Sequence, residues 1–411
     1  MRLLDSKRAY NVEISLSKFR HFESYESVAN AVETADHRLN LDMYTLLKKI
    51  YPSSTEITLL KRYRGEVQTL GKAEQFQLAM LRVPRCLEKI DCLLFCAEFE
   101  QTIANLDSKM DLLVQTTDAI LKCDPLVHVL KKVLKVGNTM NAGTQSGGAK
   151  GFTLESLSKL STTKGADKKT TVLDVVVAMI FKKTAATDDE EIQNPFTWVD
   201  NELGNLAKAK EESQRDLQNA VLKMFQQTKK YNGLLAQGLF HASVVGDGTS
   251  TEKAPNVLQK FAGSSQDDSL SLRKKGDLLA QKAAELAGYW GEDPREMPIQ
   301  KVAGILAQFT VNLKQSVTRL LRLNHNAKKA AKRWREKAAK GSSASSGGKN
   351  SLQAFEEDQS LIAGNRGALL NSLVSANPMA KLKSSKQRKR AVTTSVLQGK
   401  KAPGRGGGNL Q

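Results

Sequence analysis

Residues 137–152, GNTMNAGTQSGGAKGF, hold five glycines in sixteen positions. Such a density either cradles a phosphate with backbone amides or lets two backbones approach closely. Gly143 and Gly148 have the GxxxxG spacing of a phosphate loop, and Lys150 lies just beyond. That chemistry needs Lys directly after the second glycine, then Ser or Thr to hold Mg²⁺. Here Ala149 intervenes and Gly151 follows the lysine. The preceding PLVHVLKKVLKV (125–136) has helical rather than strand periodicity, so no strand leads into the loop and a nucleotide site is not expected. Other reactive types are dispersed. Cys86, Cys92, Cys96 and Cys123 form no CxxC pair, and His21, His37, His128, His241 and His325 occur singly. Neither zinc ligation nor a disulfide framework is indicated, and a reducing compartment fits. No cofactor, metal or catalytic group is expected.

The elements around the loop read as helices. Long stretches rich in Ala, Leu, Lys, Glu and Gln, with nine prolines and 6% aromatics in 411 residues, indicate an all-α protein. Helices are expected at roughly 5–20, 24–35, 39–50, 54–64, 73–97 with Pro84 inside, 100–122, 125–140, 153–161 and 169–184. Thr197 to about Leu235 is nearly free of Gly and Pro and reads as one long helix. Ile299, Val302, Leu306, Phe309, Leu313, Val317 and Leu320 form one apolar stripe on another, running to about Lys340. Such lengths suit an elongated multi-helix bundle. GDGTSTEKAPN (246–256) and AGSSQDDS (262–269) read as surface loops, and GSSASSGGKNS (341–351) as a flexible linker followed by disorder.

The net charge of +19 is unevenly spread. Residues 328–411 hold 18 Lys or Arg against 4 acidic residues, a net +14, which leaves +5 on the 327 residues before them. A basic tail of this kind can meet nucleic acid, anionic lipid or an acidic protein. MRLLDSKRAYN at the amino terminus has no signal-peptide core, and VVVAMIF (175–181) falls far short of the roughly 20 residues of a membrane span. An intracellular, cytoplasmic protein is expected.

The whole segment KVGNTMNAGTQSGGAKGFTLESLSKLSTTKGADKKTTVLDVV (135–176) resembles the signature region of formin homology-2 domains: GNxxNxG, a Gly-rich link, GF, LxxL, KL, then a Lys-bearing loop before a helix. LDSKRAYNVEISLSKF (4–19) looks like the opening helix of the formin knob, AEQFQLAMLRVPRCLEKIDCLLF (73–95) like the helix pair that follows, and LAGYWGEDP (286–294) like the turn before the last long helix. The resemblance covers about residues 4–337. It implies a knob, coiled-coil and post in an elongated bundle, and a post that receives the amino-terminal lasso of a second formin chain. The residues carried over to this lasso-receiving surface are Gly137, Asn138, Asn141, Gly143, Gly151, Phe152, Leu157 and Leu160. The residue types agree: the glycines permit unusual backbone angles and close approach, and Asn138 and Asn141 can satisfy backbone groups in a bend, though any buried turn could use the same residues. Met1 sits almost directly on the knob helix, so a domain lacking its lasso and linker is expected.

In the first helix Ala9, Val12, Leu16 and Phe19 share a narrow arc, and Ile14 falls about 200° from Val12. By periodicity alone Ile14 is an isolated surface apolar residue. The resemblance implies that it inserts into the hydrophobic cleft at actin's barbed end and that Lys164, otherwise a solvated loop lysine, contacts actin from the post. In the tail, Leu369, Leu370 and Leu373 share a short helical face and precede Leu382 and Lys383. That segment resembles a WASP-homology-2 motif or a formin autoregulatory segment, with a nuclear-localisation or polyanion patch as the plain alternative.

The expected organisation is a formin homology-2-like domain at 1–340, a linker at 341–363, an actin-binding or autoregulatory segment at 364–392 and a tail at 393–411. The expected function is a non-enzymatic, actin-nucleating formin of the actin cytoskeleton that associates with the filament barbed end. The competing expectation is a helical scaffold whose basic tail binds microtubules, anionic membrane or nucleic acid.

Overall fold

The computed structural model describes residues 2–165, 167–184, 194–240 and 253–341. Among them are thirteen α-helices and no strand; one isolated antiparallel bridge pairs Lys164 with Thr171. The helices are α1 (Ser6–Leu16), α2 (Tyr25–Glu33), α3 (Leu41–Ile50), α4 (Ser54–Arg62), α5 (Lys72–Arg82), α6 (Cys86–Lys122), α7 (Asp124–Met140), α8 (Val172–Thr184), α9 (Trp198–Leu203), α10 (Leu206–Ala209), α11 (Gln214–Ala236), α12 (Lys253–Trp290) and α13 (Ile299–Gly341). None among the described residues is long and apolar enough to cross a membrane.

Many of the starts are set locally. Asp5, Ser24, Asn40 and Ser53 each accept hydrogen bonds from backbone N–H groups in the first turn that follows, which satisfies donors the helix itself leaves open. At α4 the Ser53 N–H also donates to Glu56 Oε2 at 2.7 Å, completing a capping box.

Four expectations about the helices are corrected. Pro84 does not lie inside a helix: α5 ends at Arg82, Arg85 takes a φ of 54°, and α6 then runs unbroken through 97–100 to Lys122. Proline lacks the N–H a helix interior needs, whereas no breaker stands at 97–100. The expected helix at 197–235 is three helices, separated first at Gly204, where a Cβ would lie 2.8 Å from the Asp200 carbonyl oxygen. Residues 262–269, expected as a loop, are helical within α12. There the Ser265 and Ser269 hydroxyls donate to the carbonyls of Ala262 and Gln266 and both residues are buried, so packing overrides weak helix propensity. The expected helix at 153–161 is a 3-10 segment, Leu154–Lys159.

The described residues divide into two compact units, one from within 2–110 and 215–277, the other from within 111–214 and 278–341. In the first, α1, α2 and α4 pack on α5, and Phe76 of α5 is fully buried between Phe19 (ring centroids 6.4 Å apart) and Tyr25 (5.8 Å, edge-on). A second aromatic cluster joins Phe95, Phe99, Tyr231 and Phe261. In the second unit α8 lies against α7 and α13, and α13 also packs on α10 and the 3-10 segment. Leu173, Val176 and Val177 of α8 are buried, which explains why VVVAMIF is apolar on every side.

Candidate functional site

Helix α1 is oriented from several sides within its unit. Ala9, Val12, Leu16 and the following Phe19 are buried, as their shared arc predicts. The Arg8 guanidinium donates to Glu56 Oε1 (3.1 Å), the Lys49 carbonyl (3.2 Å) and the Tyr51 carbonyl (3.0 Å), and Leu3 and Leu4 donate backbone N–H bonds to Glu74 Oε1 at 3.0 and 3.2 Å. These bonds hold the core face inward, so the opposite face must meet solvent. Ile14 is 53% exposed there, as expected, and Tyr10, one turn earlier, is 64% exposed. Tyr10 was missed; its signal was that it precedes Val12 by two residues just as Ile14 follows it by two.

Lys164 is exposed on a loop held by its own backbone. It bridges Thr171, the Val172 N–H donates to the Thr163 carbonyl (3.0 Å), and Gly165 N–H to the Thr170 carbonyl (2.9 Å). Asp167 Oδ1 accepts from the Lys169 and Thr170 N–H groups at 3.0 Å each. The next residues start α8 through a reciprocal cap: Thr171 N–H donates to Asp174 Oδ2 (2.9 Å) and Asp174 N–H to Thr171 Oγ1 (3.2 Å). Asp174 also accepts from Ser316 and, at 2.7 Å, from Arg319 of α13. Burial pushes its carboxyl up, but those hydrogen bonds outweigh burial and hold it below the usual carboxylate range.

The Gly-rich segment closes on Asn138. Its Nδ2 donates to the Ala149 carbonyl and its Oδ1 accepts the Ala149 N–H, both at 2.8 Å, so one amide side chain staples the loop's far end to α7. Gly143 and Gly148 have φ of 78° and 68°, and a Cβ at Gly147 would lie 2.5 Å from the Asn141 carbonyl oxygen. The glycines therefore serve turning and close approach. The Gly147 and Ala149 amides are spent inside the loop, on the Thr144 carbonyl and on Asn138.

Beside this staple lies a mostly apolar pocket of about 120 Å³ within the second unit. Gly137, Asn138, Asn141, Gly151, Phe152 and Leu160 line it. Gly143 makes a turn outside it, and Leu157 is buried but does not line it. Val133, Met140 and Val172 also line it and were missed, because only packing of α8 beside α7 brings them together. The pocket suits an apolar side chain.

Burial pushes the Cys86 and Cys123 thiols up to about 12, and a hydrogen bond with Cys92 raises that of Cys96. No group of three or more His, Cys, Asp or Glu among the described residues could hold a metal. Leu369, Leu370, Leu373, Leu382 and Lys383 lie outside the described residues.

The sequence matches the Formin Homology 2 Domain over residues 1–314, more than half of the chain. The chain belongs to the formin homology 2 family. Formin-like protein 20 of Arabidopsis thaliana is 28% identical over 309 residues, 75% of this chain and 18% of its own length. Formin-like protein 12 of Oryza sativa subsp. japonica is 29% identical over 341 residues, 82% of this chain and 19% of its own length. The chain thus spans about a fifth of the length of these curated relatives. Formin homology 2 domains act by binding rather than catalysis, in keeping with the expectation that the chain is not an enzyme.

Proposed function

We propose that this chain is an actin assembly factor that nucleates filaments and associates with their barbed ends. Ile14 enters an apolar cleft of an actin subunit, and Lys164 makes a charged contact. The observation that carries the reading is Ile14 itself: on a helix whose other aliphatic residues Ala9, Val12 and Leu16 are buried, it stands 53% exposed. Nucleation then means stabilising a small actin oligomer by binding energy alone. The pocket beside Asn138 receives an apolar segment of a second formin chain, so the working form is a dimer. The domain occupies 1–340, and the segment at 364–392 binds monomeric actin.

Full burial of an isoleucine contributes about 1.5–3 kcal/mol, and Ile14 has about half of that still to gain. An exposed ion pair yields about 0.2–1 kcal/mol. Pyrene-actin elongation from seeds with free barbed ends should show Ile14→Ala weakening end binding about five- to tenfold, more than Lys164→Ala. Equal or reversed losses would refute the assignment of Ile14, and a wild-type chain with no effect on elongation would refute the function. Sedimentation equilibrium tests the dimer. Fluorescence anisotropy of a 364–392 peptide with monomeric actin tests the tail, and an unsaturable signal would remove that part.

A further inference from the structure

Helix α13 continues well past the last residue it buries. Leu306, Phe309, Leu313 and Val317 are buried, and among the described side chains beyond Val317 none is buried, yet the helix runs on to Gly341. Arg319 is tied to Asp174 at 2.7 Å. After that anchor Arg322, Lys329, Lys332 and Arg333 are exposed, and Leu323 is 65% exposed.

The pattern on this segment is not that of an ordinary solvated helix. At about 100° per residue, Leu320, Leu323 and Ala330 share one arc of about 100°, and the sequence puts Ala327, Trp334 and Ala338 at the same phase. The arc continues the stripe that is buried upstream. All eight Lys and Arg of residues 320–341 fall outside it, with one acidic residue, Glu336, for a net +7.

We propose that residues 320–341 form an interfacial helix that lies on an anionic lipid bilayer, its narrow apolar arc in the headgroup boundary and its broad basic arc against acidic headgroups. The charge selects the occupant. A second copy of the segment would bring two like-charged helices together. Nucleic acid would use the basic arc and leave the apolar one in water. A protein groove reads bulky anchors at i, i+3, i+4 and i+7, whereas half of the six arc positions named above are alanine. A wide basic face with a narrow apolar stripe carrying Leu and Trp is the pattern of a shallow membrane-surface helix.

The test is co-sedimentation of the full chain with phosphatidylcholine vesicles with and without phosphatidylserine. Binding is expected only with phosphatidylserine and should fall as salt rises. The combined variant Lys329→Glu, Lys332→Glu, Arg333→Glu should weaken it roughly a hundredfold, and Leu323→Asp roughly tenfold. Both change exposed positions, so thermal melts should stay at the wild-type midpoint. A matched reversal in the tail, Lys386→Glu, Arg388→Glu, Lys389→Glu, should leave most of the binding. Absence of vesicle binding, or its loss with the tail variant but not the helix variant, overturns the proposal. Equally tight binding to duplex DNA that ignores Leu323→Asp, or self-association through this helix without vesicle binding, does so as well.

Discussion

A methyl group added at Gly137 and one added at Gly147 should move stability in opposite directions, although both glycines belong to the same motif. At Gly147 the new Cβ would lie 2.5 Å from the Asn141 carbonyl oxygen and 3.2 Å from that of Thr144. Both are backbone atoms inside van der Waals contact, so the loop itself must open; overpacking of this kind costs about 1–3 kcal/mol. Gly137 lies inside α7, where a Cβ meets nothing within 4 Å. Alanine in place of a helical glycine stabilises by about 0.5–1 kcal/mol. The two variants should therefore differ by about 1.5–4 kcal/mol, read as opposite shifts of the urea midpoint at unchanged slope. Gly137 also lines the pocket, so Gly137→Ala should weaken self-association while raising stability, a combination that unfolding cannot produce. A less stable Gly137→Ala, or a Gly147→Ala with the wild-type midpoint, would refute the division of roles.

Asn138→Ala removes both bonds to Ala149; it should cost about 1–3 kcal/mol in urea unfolding and lower dimer affinity in sedimentation equilibrium. Asp174 titrates below the ordinary carboxylate range, so its contribution is complete above the unfolded value and is lost as pH falls through the folded one. Asp174→Asn should be less stable than wild type at neutral pH, with the gap closing below about pH 4 in pH-dependent thermal melts. Ile14→Ala should lower stability by no more than about 1.5 kcal/mol in urea unfolding, because about half of the side chain lies outside the core, so the variant stays folded and weakened filament-end binding reports the lost contact.

The helical architecture and the outward position of Ile14 were legible because both depend on periodicity within one element: once Ala9, Val12, Leu16 and Phe19 define the inner arc, the geometry of a single helix puts Ile14 outside. The motif at 135–176 likewise marked the glycines and asparagines of the loop that Asn138 closes. Tertiary structure decided what depends on partners distant in the chain. Residues 262–269 look like a loop until Ser265 meets Asn232 across the packed helices. Asn138 could have bonded anywhere in a bend, and only the folded loop brings Ala149 to it. The pocket exists because Val133 and Met140, two turns apart on α7, meet the distant Val172 where α7 and α8 pack. Local periodicity is written in the order of the residues, whereas a cavity is the space left between elements and has no order of its own.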